Sequence, residues 1–323
     1  MELINKKKDI DKLIENSNSI FIMGHKYLDL DAIGSAIGVY EYVKQFNKNC
    51  TIIINDRKLE AGVKKVLDKV GNSYRINKSS NIKLKINSKS LLIIVDTNKA
   101  QLLQDPNLID SFENIIVIDH HDWQESSIDR GVVIIDEDSS STCEMLSIFL
   151  NHNKIDINED VATILLSGIV LDTNNFVLKT TTNTFKASYL LAQKGADPNY
   201  VQYLLKQDIK KYIERQKVVT NVKTMGCIAI SCAKSNIIYR REDLAKIADT
   251  LMLFNKIEAS FVIGKLDKNT VGISARSVGT IDVGYILEQF NGGGDNHEAG
   301  ARIDNKSIKK IEDELLRIIK SLA

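Results

Sequence analysis

Over roughly the first 190 positions, short runs of β-branched and aliphatic residues alternate with stretches whose apolar positions recur every three or four residues. The short runs Ser19–Met23, Thr51–Ile54, Leu91–Val95, Ile115–Ile118 and Val132–Ile135 are rich in β-branched and aliphatic residues, which predicts strands buried on both faces of a parallel sheet. Between several of them the spacing is helical. Ile33, Ala36, Ile37, Tyr40 and Val43 form one stripe, Met145, Ile148 and Phe149 form another after Thr142, and Val161 to Val170 continues as helix. Such alternation predicts an open α/β sheet with crossover helices. The segment Asp197–Asn221 is long and polar, with Val201, Leu204, Leu205, Ile209, Tyr212 and Ile213 on one stripe, and predicts a single connecting helix. The pattern then restarts. Strands are predicted at Cys227–Ser231, Ala259–Gly264 and Thr270–Ala275, and helices at Glu242–Phe254, Val283–Phe290 and Ser307–Ser321. The expected organisation is a large α/β domain over 1–196, a connecting helix over 197–222 and a smaller α/β domain over 223–323, facing each other across a cleft. No internal repeat or low-complexity tract interrupts it.

Composition narrows the function classes. The 323 residues suit about two domains at the usual ~100–200 residues each. With 43% hydrophobic and 26% charged residues, collagen-like and disordered classes are excluded. Lys+Arg number 43 against 42 Asp+Glu, so bulk charge does not support a long nucleic-acid partner, which needs many uncompensated phosphate contacts. No apolar run approaches the roughly 20 residues of a membrane span. The polar, Lys-rich start, Met1 to Asp11, has no apolar core behind it and is not a secretory signal. Cys50, Cys143, Cys227 and Cys232 are scattered, without the paired spacings of a zinc site, and are expected to be free thiols in a reducing cytosol. The expected location is therefore cytoplasmic.

The chemistry concentrates where the predicted strands end. Ile20–Met23 runs into Gly24-His25-Lys26-Tyr27-Leu28-Asp29-Leu30-Asp31, Leu91–Val95 into Asp96-Thr97, and Ile115–Ile118 into Asp119-His120-His121. The apolar stretch Ile164–Leu171 likewise ends in Asp172-Thr173. Three of the five histidines lie in these motifs. In an open α/β sheet the ligand crevice lies beyond the carboxyl ends of the strands, so these side chains are expected to converge. A single Asp after a strand is more often a helix cap or a turn former. Four such ends with two histidine motifs point elsewhere, because five carboxylates in a partly desolvated crevice repel unless cations neutralise them. Mixed imidazole and carboxylate donors without thiolate suit Mn²⁺, then Fe²⁺, Co²⁺ or Zn²⁺, and disfavour Mg²⁺. The donors are too many for one ion. Two ions ~3.5–4 Å apart, sharing a carboxylate, form the arrangement that activates water for phosphoryl displacement.

The strings MGHKYLDLDAIGSAIG, IIVDT, VIDHH, SSSTCE and GIVLDTNNF resemble the DHH phosphoesterase family. GISARS (272–277) and NGGGDNHEAGA (291–301) resemble the DHH-associated domain. Within the family, DTNNFVLKTTTNTFKA, Leu205-Lys206-Gln207-Asp208 and GISARSVG are similar to the GdpP-type cyclic di-AMP phosphodiesterases. The resemblance implies a parallel-sheet metal-binding catalytic domain, a smaller α/β substrate-binding domain, and two divalent ions. His25 and Asp29 would hold one ion, Asp31, His120 and Asp172 the other, and Asp96 would bridge them. Asp119 would orient a histidine, and His121 would face the phosphate as hydrogen-bond donor or acid. Ser274 and Arg276 would hold the other phosphate or the nucleobase end, and Gly292, Gly293 and Gly294 would let backbone N–H groups approach the substrate.

Two positions depart from the family pattern. The associated domain usually reads GGGH, whereas here Asp295 follows the glycines and His297 comes two places later. The GdpP branch often follows DHH with two arginines, whereas here Asp122 and Trp123 follow, leaving Trp123 as a stacking surface or a rim aromatic. The resemblance implies hydrolysis of cyclic di-AMP to 5′-pApA. Its alternatives are an NrnA-like oligoribonuclease and pAp phosphatase acting on short linear dinucleotides, and a non-catalytic cyclic-dinucleotide-binding regulator. GdpP-type proteins usually carry membrane spans and sensory domains before the DHH part. This chain is therefore expected to be either a naturally short enzyme or the cytosolic catalytic portion of a membrane-anchored one. A homodimer is left open.

Overall fold

A computed structural model describes residues 2–56 and 59–322. The chain forms two compact units, Met1–Lys206 and Gln207–Ala323.

In the first unit, six strands form one sheet: β1 (Ser19–Met23), β2 (Asn49–Ile53), β3 (Ile76–Asn77), β4 (Ser90–Val95), β5 (Asn114–Asp119) and β6 (Val132–Ile135). Their order is β3-β2-β1-β4-β5-β6 and every pairing is parallel. The chain builds outward from β1 on one side, then returns to place β4 on β1's other edge. That reversal makes the β1/β4 boundary a topological switch point, where side chains from two diverging loops meet beyond the strand ends.

The strands are apolar on both faces because both are covered. Ile20, Ile22, Leu91, Ile93, Ile116 and Ile118 join a core with residues of the helices Lys7–Asn16, Leu30–Lys44, Thr142–His152 and Glu159–Asp172. The alternate residues Phe21, Met23, Leu92, Ile94, Ile115 and Val117 pack on Ile82, Leu103, Leu108, Ile109 and Phe112, from short 3₁₀ segments and the connections beside them. Small residues bring the helices close to one another. A Cβ at Gly34 would lie 2.7 Å from Cys143 Sγ and 3.3 Å from the Ile164 carbonyl, so only glycine permits this approach.

The second unit has a mixed sheet of β7 (Lys223–Met225), β8 (Ile228–Cys232), β9 (Ala259–Lys265), β10 (Thr270–Ser277), β11 (Gly293–Gly294) and β12 (Glu298–Asp304), ordered β11-β12-β10-β9-β8-β7. Only the β8–β9 pair is parallel. The helices Val283–Glu288 and Ile308–Leu322 cover one face. Arg241–Leu251 and Ile209–Val219 contribute to a core with Ala229 and Val262 of the opposite face.

Two expectations are corrected. The single connecting helix is two, Pro198–Leu204 and Ile209–Val219. Asp208 ends any continuity, because its carboxylate caps Lys210 N and Lys211 N and starts a new helix. The apolar stripe breaks with it: Val201 and Leu204 are buried, whereas Ile209, Tyr212 and Ile213 are exposed and the second helix buries Arg215, Val218 and Val219 instead. Asp172 ends the helix Glu159–Asp172, as the helical reading of Val161 to Val170 expects, and so does not belong with the strand ends. All four cysteines are free thiols. No helix among the described residues is long and apolar enough to cross a membrane.

Candidate metal centre

Loops after β1, β4 and β5, together with one helix end, bring the predicted donors together. Three overlapping groups form: His25, Asp29 and Asp96; Asp31, Asp96, His120 and Asp172; and Asp96, His120 and His121, with the ligand atoms in each group within 4.8 Å of one another.

The β1 loop fixes the first group. His25 Nδ1 lies 2.8 Å from the Lys26 carbonyl, which can only accept, so Nδ1 carries the proton and Nε2 keeps its lone pair. Nε2 then stands 3.6 Å from Asp29 Oδ2 and 3.3 Å from Asp96 Oδ2. Asp29 divides its carboxylate: Oδ1 accepts from Asp31 N and Ala32 N as the cap of the helix Leu30–Lys44, and Oδ2 faces the histidine.

Asp96 sits at the centre, in the left-handed backbone region with φ of 58°. One of its oxygens faces His25, while Oδ1 lies 3.5 Å from His120 Nε2 and 3.9 Å from His121 Nδ1. His120 Nε2 is also 3.3 Å from Asp172 Oδ2. Asp31 accepts from the backbone N–H groups of Thr142 (2.9 Å) and Cys143 (2.8 Å), at the N-terminus of the helix Thr142–His152, whose positive dipole end suits a carboxylate.

These residues could hold metal. Both ring nitrogens of His120 are buried without a hydrogen-bond partner among the described residues. Adjacent donors around an ion at about 2.1 Å stand roughly 3.0 Å apart, close to the 3.3–3.6 Å spacings of His25 and His120 with their carboxylates. The electrostatics agree. Burial, then the neighbouring Asp96 and Asp172 charges, push Asp31 well above the usual carboxylate range. Burial likewise pushes Asp172 up to about 6, although His120 opposes it. Burial disfavours charge on His120, yet Asp172 and Asp96 hold it well above its ordinary value. The carboxylates thus draw positive charge into a buried pocket.

Asp119 does not join these groups. Its Oδ1 accepts from His120 N (2.9 Å) and from His121 Nδ1 (2.8 Å), so the histidine it orients is His121. The His121 side chain remains 56% exposed, and its Nε2 has no hydrogen bond among the described residues.

Three supports were not foreseen. Thr142 Oγ1 lies 3.4 Å from Asp96 Oδ1 as donor. Gln104 ties the β1 loop to the segment after β2: Nε2 donates to the His25 carbonyl (2.7 Å) and Asp56 Oδ2 (2.9 Å), and Oε1 accepts from Asn55 N and Asp56 N. Asn98 Nδ2 donates to the carbonyls of His121 (3.1 Å) and Asp122 (3.3 Å). Thr142 had a signal in the Ser-Ser-Ser-Thr run before a helix. Gln104 and Asn98 had none.

In the second unit, pairing across β10, β12 and β11 sets Ser274 opposite Gly300 and Gly300 opposite Gly293. Arg276, two residues on, shares Ser274's face of β10. It is not a free cation: Nε donates to Asp249 Oδ1 (2.6 Å), Nη1 donates to the Ala275 carbonyl, and Nη2 is 3.4 Å from Glu298 Oε2. Gly294 holds φ of 147°, and a Cβ there would strike the Glu298 carbonyl at 2.1 Å. A Cβ at Gly292 would meet the Gly300 carbonyl at 2.6 Å, whereas one at Gly293 would meet nothing. Asp295 turns its carboxylate into the loop, accepting from His297 N and Glu298 N. His297 Nδ1 lies 3.3 Å from the Ser277 carbonyl.

Comparison with known proteins places this arrangement. The model described as "DHH family, N-terminal domain" matches residues 19–169, and that of the "DHHA1 domain" matches 224–322. The chain belongs to the DHH family. It is 34% identical over 317 residues to the cyclic-di-AMP phosphodiesterase GdpP of Geobacillus thermodenitrificans, covering 95% of this chain and 48% of that protein. The chain thus spans about half the length of the curated relatives it first matches. It is 26% identical to the bifunctional oligoribonuclease and PAP phosphatase NrnA of Mycoplasma genitalium, covering 99% of this chain and 97% of that one. The crystal structure of an exopolyphosphatase-related protein from Bacteroides fragilis shares the fold, with a TM-score of 0.81 at 20% identity, covering 98% of this chain and 96% of that chain.

Proposed function

We propose that this chain is a Mn²⁺-dependent phosphodiesterase that opens cyclic di-AMP to 5′-pApA, with a metal-binding catalytic domain ahead of a substrate-binding DHHA1 domain. The observation that carries the reading is the division of Asp96, one oxygen toward His25 and the other toward His120, as a carboxylate shared by two ions requires. The 34% identity to a cyclic-di-AMP phosphodiesterase supports the choice of substrate.

His25, Asp29 and Asp96 would hold one ion, and Asp96, Asp31, His120 and Asp172 the other. Such ions, when bound, lower the pKa of water and offset charge on the phosphate oxygens. The chain's own groups do the rest. The Lys26 carbonyl fixes the His25 tautomer, and the Thr142 and Cys143 N–H groups fix the Asp31 carboxylate. His121, with Nδ1–H committed to Asp119, presents Nε2 to the leaving O3′. Water oxygen bonds to phosphorus, the P–O3′ bond breaks, and the proton goes to O3′.

In the DHHA1 domain we assign Ser274 and Arg276 to the nucleobase end. Arg276 stands beside two carboxylates, Asp249 and Glu298, so its surroundings repel a second phosphate. Of Gly292, Gly293 and Gly294, it is Gly293 that leaves the backbone open to close approach, since a Cβ at either neighbour would meet the chain's own backbone. Asp295 is committed to its own turn, leaving His297 as the substrate-facing candidate of that loop.

The test is product analysis with purified chain, cyclic di-AMP and Mn²⁺, repeated with Mg²⁺ and Zn²⁺, and with His120→Ala. 5′-pApA formed with Mn²⁺ and lost in the variant supports the proposal. Faster turnover of pAp or pApA than of cyclic di-AMP would favour the NrnA-like reading.

A further inference from the structure

Two large aromatic side chains stand exposed on the loops that carry the histidines. Trp123, 51% exposed, follows His121 by two residues, and Tyr27, 63% exposed, follows His25 by two. In both loops the backbone is pinned while the ring is left in water. Tyr27 holds φ of 63°, a left-handed conformation unusual for a bulky residue and one that clusters at ligand sites. Its neighbours are tied down: Lys26 N donates to the Leu102 carbonyl (2.6 Å) and Leu28 N to Asp56 Oδ2 (2.9 Å). Around Trp123, Asn98 holds the carbonyls of His121 and Asp122, Trp123 N donates to Glu137 Oε1 (2.8 Å), and Lys99 Nζ donates to Gln124 Oε1 (2.6 Å). Each ring is therefore carried on a fixed backbone with apolar surface available for a partner to cover.

The placement suits a dinucleotide. β1 and β5 flank β4 in the sheet. At about 4.8 Å per strand, their loops leave the sheet roughly 10 Å apart, with Asp96 at the end of β4 between them. A dinucleotide carries one base a ribose away on each side of its phosphodiester.

We infer that Tyr27 and Trp123 are stacking platforms for the two nucleobases flanking the scissile phosphate, Trp123 on the His121 side and Tyr27 on the His25 side. The inference rests on the phosphodiesterase reading and adds the groups that recognise the bases. Trp123 supplies by stacking what Asp122 beside it cannot supply by charge. Stacking is sequence-tolerant, because every base has a π face. These platforms therefore favour nucleotides over sugar phosphates without selecting adenine against guanine.

Trp123 is the chain's single tryptophan, so its emission reports this position alone. With the full chain, AMP should change that emission and shield it from acrylamide, whereas ribose 5-phosphate should do neither. Equilibrium dialysis should show AMP bound roughly tenfold to a hundredfold more weakly by Trp123→Leu, with most affinity restored in Trp123→Phe. Tyr27→Ala should weaken AMP binding less. In turnover of cyclic di-AMP, the Trp123→Leu loss should fall on KM rather than kcat. Equal AMP affinity in wild type and Trp123→Leu, or identical emission responses to AMP and ribose 5-phosphate, would overturn the inference. Absence of any cyclic di-AMP turnover would defeat the phosphodiesterase reading alone, since dialysis and emission still decide the platform.

Discussion

Gly168 lies one helical turn before Asp172, where the helix Glu159–Asp172 crosses the start of the helix Leu30–Lys44. A Cβ at this position would lie 2.6 Å from Cys143 Sγ, 2.8 Å from Asp31 Oδ1 and 3.0 Å from Asp31 Cα. Ordinary contacts between such atoms are about 3.5–4.0 Å, so the methyl of Gly168→Ala needs nearly 1 Å of space. Neither neighbour yields easily, because the Asp31 carboxylate is held by Thr142 N and Cys143 N and its Cα belongs to a packed helix. Overpacking costs about 1–3 kcal/mol. Weakening one charge-assisted hydrogen bond adds about 1.5–3 kcal/mol. The better helix propensity of alanine returns about 1 kcal/mol. The net is a loss of about 3 kcal/mol, or roughly 6–12 °C in Tm for a unit of this size. Asp31 is also displaced, so Mn²⁺ bound per chain should fall. Adding Cys143→Ala removes the sulfur clash and should recover part of the Tm. It should not recover metal content, since the clash with Asp31 persists. Circular-dichroism melting and elemental analysis of the single and double variants test this. A Gly168→Ala protein with unaltered Tm and full metal content would refute the close-approach argument.

Asp96→Asn should abolish metal-supported turnover and lower bound metal by more than one ion per chain, because both sites share that carboxylate; elemental analysis measures this. Asp119→Asn should keep the metal but lower kcat roughly 10- to 100-fold, the usual cost of losing an orienting partner. Burial disfavours charge on His121, yet the Asp119 hydrogen bond and its charge hold the pKa above the ordinary value. Removing that charge lowers the pKa, so an acid at His121 loses its proton at lower pH, and the alkaline limb of the kcat profile should shift downward. Chelation should lower the Tm and Mn²⁺ should restore it, by about 2.7 kcal/mol at a hundredfold excess over Kd. Asp208→Ala should cost about 0.5–2 kcal/mol through loss of the cap on Ile209–Val219, read by denaturant melting.

Five of the six parallel strands were legible as short β-branched runs such as Leu91–Val95, because a strand covered on both faces allows little else, whereas the two-residue β3 (Ile76–Asn77) left no such run. The donors were legible for a related reason: they sit where those runs stop. Asp172 joined them as the end of an apolar run, here the 14-residue helix from Glu159 that the segment Val161 to Val170 predicts. β12 was missed because its inward residues are Ala299, Ala301 and Ile303 and its outward ones include Gly300, so alternation is present without bulk to reveal it. β7 and β11 are only three and two residues long. Gln104 lies 79 residues from the His25 it braces, and nothing local marks such a partner.

The metal centre also changes how its aspartates should be read. For a carboxylate after a strand, helix capping and metal ligation look like rival explanations. In the proposed centre Asp29 would do both, with Oδ1 on two backbone N–H groups and Oδ2 facing His25. Asp31 spends its carboxylate on Thr142 N and Cys143 N while standing among Asp96, His120 and Asp172. The two roles reinforce each other. A donor must be held within about half an ångström of its working position, and loops alone seldom do this. Backbone N–H groups at a helix start supply fixed donors and a positive partial charge, which lessens the repulsion among crowded carboxylates. Capping is therefore how this fold positions these acids: Asp29 on the start of its own helix and Asp31 on the start of the helix Thr142–His152.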